Sequence, residues 1–225
     1  MRRAAAPDRP HTSTPILATL ALVTVSVVTA AAPTGLTAQQ RPDRAEPTLE
    51  AVRAAAERYG DVRAALAAGY VEDPSGMCVE AGMVGRPAEE GAMGIHYLRP
   101  DLLGLLPVQE GRRVDGTGTH TDFLTPAILM YEPREDGTLE LVGVENLVFQ
   151  KAWKAAGHDA PPTFMGRSWN AMTDDPATPV DEGHGFEPHF DLHVWVFRAN
   201  PRGTLESFNP AVICAHARMR VMSGS

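Results

Sequence analysis

The sequence lacks the short motifs that mark the commonest enzyme classes. It has no Gly-x-Ser-x-Gly elbow of a serine hydrolase, no Gly-Lys-Ser/Thr phosphate loop and no His-Glu-x-x-His helix of a zinc protease. Gly116-Thr117-Gly118 is a lone Gly-x-Gly, without the strand and helix context of a dinucleotide site. Function therefore has to be sought in individual polar residues.

Long apolar runs are also scarce, and the clearest one lies near the N-terminus. Residues 16–32 are apolar or small, carry no charge and follow three arginines. This layout predicts a secretory signal peptide over residues 1–38, cleaved after Ala38. An uncleaved anchor is the alternative, although threonine and serine dilute the run. We expect a secreted or periplasmic protein with no stable membrane association after the signal is removed.

Basic residues are fewer than acidic ones. The chain has 20 Lys and Arg against 28 Asp and Glu. Residues 1–38 contain three Arg and one Asp, so the remainder has 17 basic and 27 acidic residues and a formal charge of −10. Nucleic acids and anionic membranes bind basic surfaces, so neither is expected as a partner.

Cysteine is nearly absent. Cys78 and Cys214 are the only two, and both lie in the part predicted to be exported. An even number in an oxidising compartment predicts one disulfide, with two separate buried thiols as the alternative. A cysteine metal site is disfavoured, because neither residue has another Cys or a His nearby at ligand spacing.

The first patterned segment after the signal predicts a helix. Residues 39–47 are Pro-rich and charged, and they predict a flexible lead-in. Thr48 can cap a helix whose apolar positions recur every three or four residues as far as Leu66. Gly60-Asp61 can kink or restart this helix, and Gly69 can end it. The apolar stripe predicts a packing face and implies no chemistry.

Strand patterns appear after residue 126. Residues 128–132 and 139–149 are largely apolar and flank Glu135-Asp136-Gly137, which has hairpin-turn chemistry. A third strand is predicted over residues 190–198. The expected fold is a single, loop-rich α+β domain over residues 48–225, with its N-terminal helix packed on a small antiparallel sheet or barrel.

Other parts of the chain are predicted as loops. Residues 73–95 are rich in glycine and contain one of the cysteines, and residues 111–121 are similar in character. Residues 151–185 are the least defined, and there we expect Trp153 and Trp169 to cap the core.

Three polar residues stand out in apolar, strand-like sequence: His96, Glu145 and His193. Buried carboxylates need a partner, and Glu145 could instead face solvent or pair with an arginine. A histidine in such a strand can also be a hydrogen-bonded core residue. Two imidazoles and one carboxylate form the ligand set of open zinc and non-haem iron sites. The pattern therefore predicts a divalent transition-metal site, with the identity of the metal open.

Further polar residues lie close to His193. With side chains alternating along a strand, His189 and Asp191 share its face. Either residue could be an additional ligand or could orient an imidazole from behind, and Glu132 is a third candidate for such a role. The remaining histidines of the exported part are expected at the surface or the periphery: His120, His158, His184 and His216.

Several of these residues fall within an ordered series of short motifs. The series comprises residues 67–70, Cys78, 93–97, 129–133, Val144-Glu145, 192–195, 200–203 and 209–214. In this series the chain resembles a family of exported bacterial proteins to which we attach no activity. The resemblance implies that His96, Glu145 and His193 are shared and that Cys78 pairs with Cys214. Some relatives have a histidine near residues 167–170, where this chain has none, which leaves the site open or completed by water.

Three classes of function follow from the sequence. The first is a metal site that serves a small oxidoreductase or hydrolase, or that simply holds metal. The second is a non-catalytic pocket for a small-molecule ligand, with the same residues as its polar contacts. The third is a structural domain with a buried polar network. The metal site is the hypothesis that we favour.

Overall fold

A seven-stranded antiparallel sheet organises the fold in this computed structural model, which describes residues 46–107 and 112–217. Its strands are β1 (Val71–Glu72), β2 (Cys78–Glu80), β3 (Ala92–Leu98), β4 (Ile128–Pro133), β5 (Leu139–Phe149), β8 (Asn170–Met172) and β9 (His189–Val194). The order is β1-β3-β4-β5-β9-β8, and β2 also pairs with β3. The described strands form an open sheet. Of the two predicted forms, a small sheet or a barrel, the sheet is therefore the one observed.

The helices are short. They are α1 (Leu49–Ala56), α2 (Val62–Ala67), α3 (Pro100–Leu103) and α4 (Gln150–Ala155), with 3-10 turns at Glu57–Gly60, Ala81–Val84 and Ala88–Glu90. A separate two-stranded ribbon pairs β6 (Thr163–Phe164) with β7 (Arg167–Ser168). The described residues all belong to one compact unit, Arg44–Ser225. The fold is therefore the predicted α+β class, with few helices and many loops.

The predicted N-terminal helix is interrupted where its sequence suggested. Thr48 caps α1 by accepting a hydrogen bond from the Ala51 amide at 3.2 Å. Asp61 then adopts an extended conformation and caps α2 by accepting from the Arg63 amide at 3.0 Å. The turn between them is tied to the sheet, because the Tyr131 hydroxyl donates to the Tyr59 carbonyl at 2.6 Å.

The β4–β5 hairpin confirms the central prediction of the sequence. Its turn is closed by the Gly137 amide, which donates to the Arg134 carbonyl at 2.9 Å. Gly137 takes a φ of 82°, a conformation that glycine adopts readily. The third strand was predicted to continue to residue 198, but β9 ends at Val194. There the chain turns, and the Arg198 amide bonds to the Val142 carbonyl instead.

The two faces of the sheet are covered differently. One face packs against the N-terminal helices through a core that includes Val52, Leu129 and Leu192. Alternation places Ile128 and Glu145 on the opposite face, because they are cross-strand partners. Apolar residues from α3 and from a loop cover this second face, among them Leu103 of α3 and Phe186 of the loop.

A disulfide joins Cys78 of β2 to Cys214 near the end of the described chain. The Cα atoms are 5.6 Å apart, and 136 positions separate the residues in sequence. The predicted bond is thus confirmed, and it holds the C-terminal segment against the sheet. The same segment forms an antiparallel bridge between Asn209 and Ala92.

The predicted signal peptide and most of the lead-in lie outside the described residues. Within residues 46–107 and 112–217, no helix has the length and apolar character needed to cross a membrane.

Candidate metal centre

Three strands bring the predicted metal ligands together. His96 lies in the middle of β3, Glu145 in β5 and His193 in β9. Glu145 and His193 are direct cross-strand partners. His96 lies opposite Met130 on β4. Glu145 lies opposite Ile128, two residues earlier on the same strand. All three side chains therefore project from one face of the sheet.

Their ligand atoms converge on a small volume. His96 Nε2 lies 3.3 Å from Glu145 Oε2, and His193 Nε2 lies 3.4 Å from the same oxygen. One ligand atom from each residue can be chosen so that no pair is separated by more than 4.8 Å. The residues are 3%, 2% and 0% exposed, so the cluster is closed to solvent.

Four side-chain atoms of the trio have no hydrogen-bond partner within the described part of the chain. This holds for His96 Nε2, Glu145 Oε2 and both ring nitrogens of His193. Buried polar atoms are almost always paired, because an unpaired one loses its hydration without compensation. The Nε2 atoms of His96 and His193 contact Glu145 Oε2, at 3.3 and 3.4 Å, and the three residues form a group that could hold a metal ion.

Electrostatics favours a charged carboxylate between the imidazoles. Burial acts to raise the pKa of Glu145, but His193 and His96 outweigh it and lower this pKa to about 2. Burial lowers the pKa of His193 to about 4. The pKa of His96 is raised, because its contact with Glu145 overcomes the effect of burial. Glu145 as a carboxylate and His193 as a neutral imidazole are in the protonation state that metal ligation requires, whereas a protonated His96 has to lose its proton when a metal binds.

His189 and Asp191 lie on the same strand and extend this polar face. His189 Nδ1 lies 2.9 Å from the Glu187 carbonyl, and its Nε2 lies 3.9 Å from Asp191 Oδ2 without a hydrogen-bond partner. Asp191 Oδ1 accepts from Asn170 Nδ2 at 3.1 Å. Burial raises the pKa of Asp191 to about 8. Both residues are fully buried but lie outside the convergent trio, so their role as extra ligands stays a prediction.

Glu132 is engaged elsewhere. Its carboxylate contacts Arg134 at 2.8 Å and Arg198 at 2.9 Å, and it accepts from the Ile213 amide at 3.0 Å. These contacts attach the C-terminal segment to β4. The structure therefore gives Glu132 a set of structural partners and does not bring it to the trio.

His184 is the residue that the sequence analysis misplaced. It was expected at the surface, yet it is only 8% exposed and its ring lies 6.0 Å from that of His96. The flanking glycines are typical of an exposed loop. This loop is instead held down by salt bridges from Arg113 to Asp174 and Asp181. The one signal of its burial in the sequence was its spacing, because His184 lies only five positions before His189.

The other histidines lie where they were expected. His158 is exposed and stacks on Trp153, and His216 is also exposed. His120 is partly exposed, with its Nε2 2.7 Å from the Thr125 carbonyl.

The predicted small-molecule pocket can be compared with the clefts of the surface. One cleft of about 320 Å³ lies near the β4–β5 turn and is lined in part by Tyr97, Arg134 and His216. A second, of about 440 Å³, is lined in part by Met83 and Pro210. Neither is lined by a residue of the trio, so the trio and these clefts are separate features.

No family model matches the chain, and no curated protein or solved structure matches it significantly. The family resemblance seen in the sequence therefore stays a prediction. The functional argument rests on the geometry of the trio.

Proposed function

We propose that this chain is an exported protein that binds one divalent transition-metal ion through His96, Glu145 and His193. One observation carries the proposal: three ligand atoms without hydrogen-bond partners converge in a closed site from β3, β5 and β9, which lie within four consecutive strands of the sheet. The Cys78–Cys214 disulfide supports export, because such bonds persist in oxidising compartments.

The separations suit a metal ion. Zinc lies about 2.0–2.2 Å from nitrogen and oxygen ligands, so two ligands at a tetrahedral angle are about 3.4 Å apart. The two measured separations from Glu145 Oε2 are 3.3 and 3.4 Å. The ligand nitrogens of His96 and His193 lie within 4.8 Å of each other, and binding would draw them together by up to about 1.4 Å. Only side-chain adjustment is required, because the strands already hold the correct face.

The donor set limits the class of metal. Imidazole nitrogen with one carboxylate oxygen suits zinc, iron, copper and manganese, whereas calcium and magnesium prefer oxygen ligands alone. Three protein ligands leave a coordination position for water or a substrate, which is the arrangement of catalytic metal sites.

A buried polar network without metal is the competing explanation. Its support is the contact of Glu145 with His96, whose pKa is raised, so that the two can form an ion pair. This explanation leaves both ring nitrogens of His193 unpaired. Metal binding satisfies Nε2 of His193 as well as the atoms of the other two residues.

Metal analysis decides between these explanations. We would export the protein to the periplasm of an expression host, purify it without chelators and measure bound metals by mass spectrometry. We expect about one ion per chain, and its loss in His193→Ala and in Glu145→Gln. His158→Ala, which removes an exposed histidine, serves as the matched control and should keep the ion. A wild-type protein that stays metal-free after incubation with zinc, copper, iron and manganese would refute the proposal.

A further inference from the structure

His184 has the properties expected of a metal ligand. Its ring is buried, and neither Nδ1 nor Nε2 has a hydrogen-bond partner among the described residues. It lies parallel to the His96 ring, with an interplanar angle of 1° and centroids 6.0 Å apart. A solvent-exposed or merely packing histidine would keep at least one nitrogen paired with water or protein.

The His184 ring lies close enough to the His96 ring for both imidazoles to bind the same ion. Two imidazoles on one metal have ring centroids about 5 Å apart at a tetrahedral angle and about 6.5 Å apart when they are opposite each other. The His96–His193 centroids are 6.3 Å apart, and the His96–His184 centroids are closer, at 6.0 Å. A shift of about 1 Å brings the His96 and His184 centroids to the spacing of two imidazoles at a tetrahedral angle.

The backbone of His184 is held in a conformation that its residue type disfavours. Its φ is 38°, in the left-handed region where glycine or asparagine is more favourable. The loop is fixed directly after His184, because Arg113 donates to the Phe186 carbonyl and the Val114 amide donates to the Gly185 carbonyl. If the position served only to turn the chain, glycine would do so with less strain. Strain of this kind concentrates at functional sites.

We propose that His184 is the fourth protein ligand of the metal, contributed by the loop that covers the trio. This inference rests on the proposed function and deepens it, since it makes the site three imidazoles and one carboxylate. Such a set favours zinc, copper, nickel or iron over magnesium and calcium. It also leaves at most one position for a small exogenous ligand, through expansion to five-coordination.

A second ion held by His184, His189 and Asp191 is the competing arrangement. His189 Nε2 and Asp191 Oδ2 are 3.9 Å apart and both lack a hydrogen-bond partner. In the described residues, however, only the trio of His96, Glu145 and His193 brings three such atoms together. The His184 ring is about equally far from the rings of His189, at 5.9 Å, and His96, at 6.0 Å, and it lies outside the converged trio as it stands. The preformed trio decides the assignment, so His184 moves toward it when the ion binds and the chain holds one ion.

Copper(II) provides a count of the nitrogen ligands. We would load the full chain with one equivalent and record electron paramagnetic resonance spectra, in which bound nitrogens split the signal. We expect three coupled imidazoles in the wild type and two in His184→Ala. Zinc affinity, measured by competition with a chelator, should fall at least tenfold in His184→Ala, since even residues behind the ligands typically contribute 10- to 100-fold.

Two further variants separate ligation from backbone strain. His184→Gly relieves the left-handed conformation and His184→Asn tolerates it, so both should fold at least as well as His184→Ala. If His184 is a ligand, all three variants lose affinity alike, whereas His158→Ala does not. Unchanged zinc affinity and an unchanged nitrogen count in the His184 variants would refute the inference alone. Two ions per wild-type chain would also overturn it, and a metal-free wild type would instead refute the proposed function.

Discussion

Removal of the Cys78–Cys214 disulfide tests how the fold is held together. The bond closes a loop across 136 sequence positions. In the chain-entropy model, a loop of this length lowers the entropy of the unfolded chain enough to stabilise the native state by ~5 kcal/mol. The effect is large because the bond is the one covalent link between β2 and the C-terminal segment.

The corresponding change in melting temperature can be worked out from the size of the folded unit. Arg44–Ser225 contains 182 residues. A domain of that size loses about 2–4 °C of melting temperature for each kcal/mol, so the double variant Cys78→Ala/Cys214→Ala should melt about 10–20 °C lower. Differential scanning calorimetry of the oxidised wild type and the double variant measures this directly.

A reductant provides the internal control for this experiment. Reduction should lower the melting temperature of the wild type to near that of the double variant and leave the double variant unchanged. If the oxidised and reduced wild type melt within about 2 °C of each other, the loop-entropy argument fails for this chain. The unfolded chain would then already be restricted without the bond.

Three further predictions concern the site and its supporting strands. Zinc at 100 times its dissociation constant should stabilise the wild type by about 2.7 kcal/mol in thermal unfolding, and it should not stabilise Glu145→Gln, which lacks a charged ligand. Glu132→Ala should destabilise the fold by about 1–3 kcal/mol in urea unfolding, because it removes the acceptor of the Ile213 amide and the carboxylate shared by Arg134 and Arg198, which keep only that of Glu140, yet it should keep the metal; loss of metal would make Glu132 a ligand after all. Gly94→Ala should cost more than about 3 kcal/mol in the same assay, since φ is +97° and the added Cβ would lie 2.5 Å from the Tyr131 carbonyl oxygen; a wild-type midpoint would show that β3 can shift.

Local patterns in the sequence were sufficient to predict the hairpin and the trio. Residues 139–149 were predicted as a strand with the bounds of β5, because apolar residues recur along them and a turn precedes them. Glu145 and His193 were chosen because a charged or polar residue in such a strand needs a partner. Their pairing across β5 and β9 then follows from the antiparallel register.

Features that depend on contacts distant in sequence were not predicted. α4 (Gln150–Ala155) was taken for loop, because six residues are too few to show helical periodicity. β8 was missed, because three residues become a strand only by pairing with β9. His184 was placed at the surface, because glycine-rich sequence does not reveal that Arg113, 71 positions earlier, holds the loop over the sheet.

Because the site is closed, the covering segments also determine the rate at which an ion or a proton can enter or leave it. The three residues of the trio are at most 3% exposed, so an ion, a proton or a chelator can reach them only when a covering segment opens. Such openings are local unfolding events with their own free energy and rate. The rate of loading and release is then governed by the cover and is independent of chelator concentration once the chelator is in excess. If the site holds the proposed ion, kinetic retention keeps it there even in surroundings where competing ligands bind the metal more strongly.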